Sequence, residues 1–148
     1  MIQRKQTLFL LLSFVLIVVC MSTQVATLYG NDGIAFANVF NLWITDGQGQ
    51  HSFSSAPLFG ILLVSALLSL VSIFMYMKRK LQAGLCLLLM FLLVIWYIAL
   101  AVLIQHVGTN AHLEWPTVLP AVSVILTFMA RKGVLADEKL VRSLDRIR

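Results

Sequence analysis

Three histidines, His51, His106 and His112, and three carboxylates, Asp32, Asp46 and Glu114, sit in two polar connections of an otherwise apolar chain, 29–56 and 106–115. Imidazoles beside carboxylates suit a divalent metal or a pH-responsive site. The spacing fits no ligand pattern, and the turn at Gly108 between His106 and His112 permits their approach without requiring it. Solvated loop residues are the plainer reading, so no metal site is expected.

Other chemistry has no visible carrier. The chain holds no nucleophile elbow, phosphate-binding glycine loop or His-Glu-x-x-His segment, so neither enzyme activity nor a cofactor is expected. Cys20 and Cys86 lie in apolar runs, about 18 Å and about 8 Å from the same end of their helices, a depth mismatch that argues against a disulfide. Ser65, Ser69 and Ser72 share one helical face. With Gln24, Gln105, Ser123 and Thr127 they could line a hydrophilic groove, but serines so spaced more commonly let helices pack closely. Transport usually relies on ionisable groups within the membrane, and the apolar stretches contain none.

The elements carrying these residues follow from composition. Hydrophobic residues make up 60% of the 148 and charged residues 11%, against roughly 45–50% and 25% in a soluble domain. Lipid is the solvent such a chain needs. The fold expected is a single all-α membrane domain over 1–148, with transmembrane helices at 7–28, 57–77, 81–105 and 116–132. Pro116 suits a first helical turn, whereas Pro120 is expected to remove a hydrogen bond and bend the axis. Arg131 and Lys132 would snorkel, and Gly133 offers a break. Arg4 and Lys5 before 8–19 look like the start of a secretion signal, but no small-x-small site follows, so a retained first span is expected.

All eleven Lys and Arg fall on one side of this arrangement: Arg4 and Lys5, Lys78-Arg79-Lys80, Arg131 and Lys132, then Lys139, Arg142, Arg146 and Arg148. The outer connections have none. Both termini are therefore expected in the cytoplasm, with the protein multi-pass in the cytoplasmic (inner) membrane. The net charge of +5 marks topology rather than a nucleic-acid partner.

The outer loop 29–56 carries turn residues at both ends, Gly30-Asn31-Asp32-Gly33 and Asp46-Gly47-Gln48-Gly49. Between them Ile34, Phe36, Phe40, Leu42 and Ile44 recur at period two, Asn38 interrupts, and Val39 and Trp43 make the other face partly apolar. One or two β-strands packed on the helix ends are expected. The tail, about 135–148, places Leu140, Val141, Leu144 and Ile147 within an arc of about 120°, which predicts a basic amphipathic helix on the inner leaflet or a partner. A tail retained only to fix orientation is the competing reading.

Met1-Ile2-Gln3-Arg4 with Gln6-Thr7, Lys80-Leu81-Gln82 with Leu85-Cys86, and Asp137-Glu138, Leu140-Val141-Arg142-Ser143, Asp145-Arg146 and Arg148 resemble a family of small bacterial four-helix membrane proteins of unknown function. The resemblance covers the whole chain; it implies topology and no reaction, ligand or partner. The layout also resembles that of claudin-type tetraspan proteins, which carry a small sheet in their first outside loop. Asn41-Leu42-Trp43 is faintly similar to their Gly-Leu-Trp motif, but the paired loop cysteines are missing. Four-helix exporters of the small multidrug type use a buried carboxylate in their first helix, and 7–28 has no acidic residue.

The functional expectation is a non-catalytic interaction or assembly component of a membrane complex, contacting the bilayer and either a protein partner or a second copy. Phe36, Phe40 and Trp43 outside, and Leu140, Leu144 and Ile147 inside, are the candidate interaction surfaces. A small-molecule transporter or channel subunit is the alternative.

Overall fold

The computed structural model describes residues 3–30, 32–75, 78–107 and 110–145, and their side chains except those of 3–5, 142, 144 and 145. Four helices, α1 (Gln3–Ser22), α2 (Ala56–Phe74), α3 (Arg79–Val107) and α4 (Leu119–Asp145), pack each against the next, and α4 closes back on α1. Three apolar helical stretches, Phe53–Phe74, Arg79–Val107 and Trp115–Val141, are long and apolar enough to cross a membrane, while in α1 the apolar part is Gln6–Ser22. Strands β1 (Gln24–Tyr29), β2 (Ala35–Phe40), β3 (Ile44–Asp46), β4 (His51–Ser52) and β5 (Asn110–Leu113) form one sheet in the order β4-β3-β2-β1-β5, with every pairing antiparallel.

The sheet is larger than the sequence suggested, with five strands where one or two were expected. Three of them, β1, β4 and β5, came from outside the segment judged extended. The stretch 7–28 is not one helix: α1 stops at Ser22 and 24–28 belongs to β1, which lies between β2 and β5. The stop is chemical. Ser22 Oγ donates to the Val18 carbonyl (3.0 Å), Thr23 Oγ1 to Val19 (2.9 Å), and the Asn41 amide to Cys20 (2.7 Å), so side chains take up carbonyls that another helical turn would have used. Val25, Ala26, Thr27 and Leu28 are all buried, and a strand covered on both faces reads in sequence like a stretch of buried helix. β5 was hidden because Asn110 to Leu113 is only four residues long, too short a run for its alternation to stand out within a polar turn.

Within β2 the residues that pack on the core are the smaller ones. Ala37 and Val39 are buried, while Phe36 and Asn38 are exposed. Ala37 and Val39 pair with Leu28 and Ala26 of β1, and the bend at Asn41–Leu42 shifts the parity, so that Ile44 lies opposite Val39 and rejoins the core. Leu28, Ala37 and Val39 continue into Ile17, Leu58, Leu62, Leu93 and Trp96 of the helices, making one core from sheet to mid-bundle; a smaller cluster at the far end centres on Leu10, Cys86 and Ala130.

Two features of the last helix depart from expectation. Pro120 is the second residue of α4, following a 3-10 turn at Trp115–Val118, so its missing N–H falls in the first turn. Gly133 does not break the chain. A Cβ there would meet Gln6 Cγ at 2.9 Å, so the glycine permits close approach of α1 and α4. Val134 and Asp137 are buried just beyond it, and the helix continues through Asp145. The expected separate tail helix is thus an extension of α4.

Candidate functional site: the sheet and its anchors on the bundle

Asn41 is the hinge point between sheet and helices. Fully buried, its amide donates to the Cys20 carbonyl of α1 and its Oδ1 accepts the Trp96 indole N–H of α3 (3.1 Å), while its own carbonyl accepts the Phe59 N–H of α2 (3.2 Å). Only a side chain with both a donor and an acceptor joins two such groups. A second anchor lies across the bundle. Thr117 Oγ1 donates to the Val25 carbonyl (2.7 Å), and Tyr97 O–H donates to the Thr117 carbonyl (2.5 Å) while accepting the Ala121 N–H (3.0 Å). Trp96 and Tyr97, edge to face at 5.0 Å, therefore fasten the two sides of the sheet from adjacent positions on one helix. Neither stood out in the sequence, where two aromatics within a long apolar run look like ordinary lipid-facing or core residues.

The face turned away from the bundle carries a polar row across all five strands. His112, Thr27, Asn38, Thr45 and His51 are successive cross-strand partners. Side chains reinforce the row: Gln24 Nε2 donates to Thr27 Oγ1 (2.8 Å) and Asn38 Oδ1 (3.2 Å), Thr27 Oγ1 donates to Glu114 Oε1 (2.8 Å), and Thr45 Oγ1 lies 3.2 Å from His51 Nδ1. At one end Phe40, Trp43 and His51 form a ring cluster, with centroid separations of 5.9 Å and 5.7 Å. Two sequence candidates, Phe40 and Trp43, therefore sit together and half-buried, whereas Phe36, 36% exposed, stands further along β2. The row was missed because its members come from five segments, each contributing one polar residue.

With strands about 4.8 Å apart, His51 and His112 on opposite edges are separated by roughly 19 Å. Among the described residues, no group of three or more His, Cys, Asp or Glu is placed to hold a metal ion. Cys20 and Cys86 are free and buried.

The polar groups inside the bundle bond to one another. Ser13 Oγ lies 3.3 Å from Thr127 Oγ1, and Ser123 Oγ donates to the Ser13 carbonyl (3.4 Å), which joins α1 to α4. Ser65 and Ser69 donate to carbonyls of their own helix, and Ser72 Oγ lies 3.7 Å from Cys86 Sγ. This is the geometry of packing.

At the end opposite the sheet, Gln6 Nε2 donates to Asp137 Oδ2 (2.8 Å), Arg79 Nη1 to the Asp137 carbonyl (3.3 Å) and Gln82 Nε2 to the Ser72 carbonyl (3.1 Å). Asp137 is buried. Lys132 extends over the Phe128 ring (5.0 Å), whereas Arg131 Nε is buried with no hydrogen-bond partner among the described residues. Of the inner candidates, Leu140 is 56% exposed; Ile147 and the Leu144 side chain lie outside what the structure describes.

Comparison with curated proteins finds no match. Residues 2–147, nearly the whole chain, match the family described as a domain of unknown function, DUF4293. The sheet anchored on four helices is accordingly the architecture of a chain that belongs to the DUF4293 family.

Proposed function

We infer that the protein is a multi-pass protein of the bacterial cytoplasmic membrane, with four spans, both termini inside, and the sheet outside. Leu8, Leu67, Phe91 and Ile125 turn large apolar side chains outward, one from each helix, as a lipid-facing surface requires. All the Lys and Arg among the described residues belong to the end away from the sheet. Phe53 and Trp115, each about two-thirds exposed, begin the 3-10 turns that lead into α2 and α4 at the sheet end, the depth at which aromatic side chains settle between lipid and water.

In that setting it acts as a non-catalytic interaction or assembly component, presenting the sheet to a protein partner. The observation carrying this reading is the polar row from His112 to His51 on a sheet anchored through Asn41 and Thr117: a prearranged surface fixed against the helices, with His112, Asn38 and His51 exposed and Thr27 buried beneath Gln24 and Glu114. The connections around it contain Asp32, Asp46 and Glu114 and no Lys or Arg, so a partner surface rich in basic and hydrogen-bonding groups complements it. The transport alternative needs a polar path, and the hydroxyls of Ser13, Ser123 and Thr127 are spent on one another.

Crosslinking in native membranes, purification through a C-terminal tag and identification of what is captured test the proposal. A reproducible protein partner supports it. Gradient-driven flux catalysed by the purified protein alone in liposomes would replace it with transport.

A further inference from the structure

A cavity of about 350 Å³ opens beneath the sheet, between its bundle-facing side and the last turn of α3. Leu28, Ala37, Ile44 and Val107 contribute its apolar part, and Asp46 and His51 are among the polar residues of its lining. The volume lies near the lower end of ligand pockets, roughly 300–1,000 Å³, and suits a small ligand or one end of a longer amphiphile. Asp46 closes β3, where its N–H donates to Gln50 (3.0 Å) and its carbonyl accepts the Gly49 N–H (2.8 Å). Its Oδ1 accepts the Gly47 N–H (2.8 Å). Backbone and one carboxylate oxygen are thus fixed by the turn, leaving the second oxygen for a ligand.

No Lys or Arg occurs in either connection at this end of the molecule. An anionic head therefore finds no permanent countercharge, whereas an ammonium finds a carboxylate over an apolar floor. We propose that the cavity binds an amphiphile with a primary ammonium head, the head at Asp46 and the chain against Leu28, Ile44 and Val107. The head and chain contacts lie on the bundle-facing side of the sheet; of the polar row on the other face, only His51 also reaches the cavity lining. The same head chemistry occurs on a free single-chain amine and on an ethanolamine phospholipid, and the choice of bilayer distinguishes them.

The full chain in phosphatidylcholine nanodiscs is titrated calorimetrically with n-octylammonium, empty nanodiscs providing the partitioning background. A saturable component is expected, absent with n-octyl sulfate. Asp46→Asn, which keeps the side-chain shape, should weaken it at least ten-fold. Ile44→Trp should fill the cavity and abolish it; Val107→Trp does so from the helix side if the strand variant fails to fold. In nanodiscs containing phosphatidylethanolamine, a raised apparent Kd identifies the lipid head as the resident ligand, and an unchanged one identifies a free amine. Absence of saturable binding, or binding unchanged in Asp46→Asn or in a folded cavity-filling variant, overturns the proposal.

Discussion

Replacing Asn41 should loosen the sheet from the bundle while leaving the far half of the helices packed. In Asn41→Ala the Trp96 indole N–H loses its acceptor inside the core, a loss of about 1–3 kcal/mol for a buried donor left unsatisfied. The Cys20 carbonyl suffers less, because it also accepts the Thr23 hydroxyl and N–H (both 3.3 Å); losing the 2.7 Å bond there costs about 0.5–1.5 kcal/mol. With a small contribution from the vacated volume, the total is about 2–4 kcal/mol. Cys20 lies in the core beneath the sheet and Cys86 in the other cluster, so the two thiols report separately. If the sheet opens locally, a 2 kcal/mol loss raises Cys20 labelling by a maleimide about 30-fold, since each 1.4 kcal/mol is a factor of ten, and Cys86 labelling much less. Trp96→Phe removes the donor instead, and the double variant should lose less than the sum of the single ones. Cys20 labelling unchanged in Asn41→Ala, with overall stability within about 0.5 kcal/mol of the parent, would refute the anchoring role.

Helix propensity alone predicts that Gly133→Ala stabilises α4 by about 1 kcal/mol; contact of the new Cβ with Gln6 should reverse the sign, as denaturant titration in micelles will show. Tyr97→Phe removes both the bond to the Thr117 carbonyl and the acceptor of the Ala121 N–H, and should cost about 1–3 kcal/mol with increased proteolysis near 110–118. Ser13→Ala breaks the hydroxyl contact between α1 and α4 and should cost only about 0.5–1 kcal/mol without changing partner capture; loss of capture would mean that the seam is more than packing.

The long apolar segments of α2 and α3, and the gathering of basic residues at one end, were legible because helix length and charge are properties of uninterrupted stretches. The strand at 24–28 was not. Burial on both faces erases the alternation that identifies a half-exposed strand, and the capping of Cys20 by Asn41 comes from a residue 21 positions away. Which face of β2 is buried was not legible, because the larger residues, Phe36 and Phe40, lie on the exposed or half-buried side, while the smaller Ala37 and Val39 fit against β1. Gly133 carried a true signal for an unusual backbone environment, but breaking and close packing look alike until the neighbouring Gln6 is known. The candidate surface was half legible: Phe40 and Trp43 belong to the outward face, but the polar row beside them depends on strand pairing that no local pattern encodes.

Photocrosslinking from Asn38, in the middle of the polar row, tests the proposed role most directly. With a photoreactive residue there in cells, a discrete adduct with another protein is expected, and none when the same residue replaces the outward-facing Leu67 of α2. Recovery of the chain itself in the adduct would make the partner a second copy. Only lipid or water products from position 38, with flux from the purified protein alone, would contradict the assembly role.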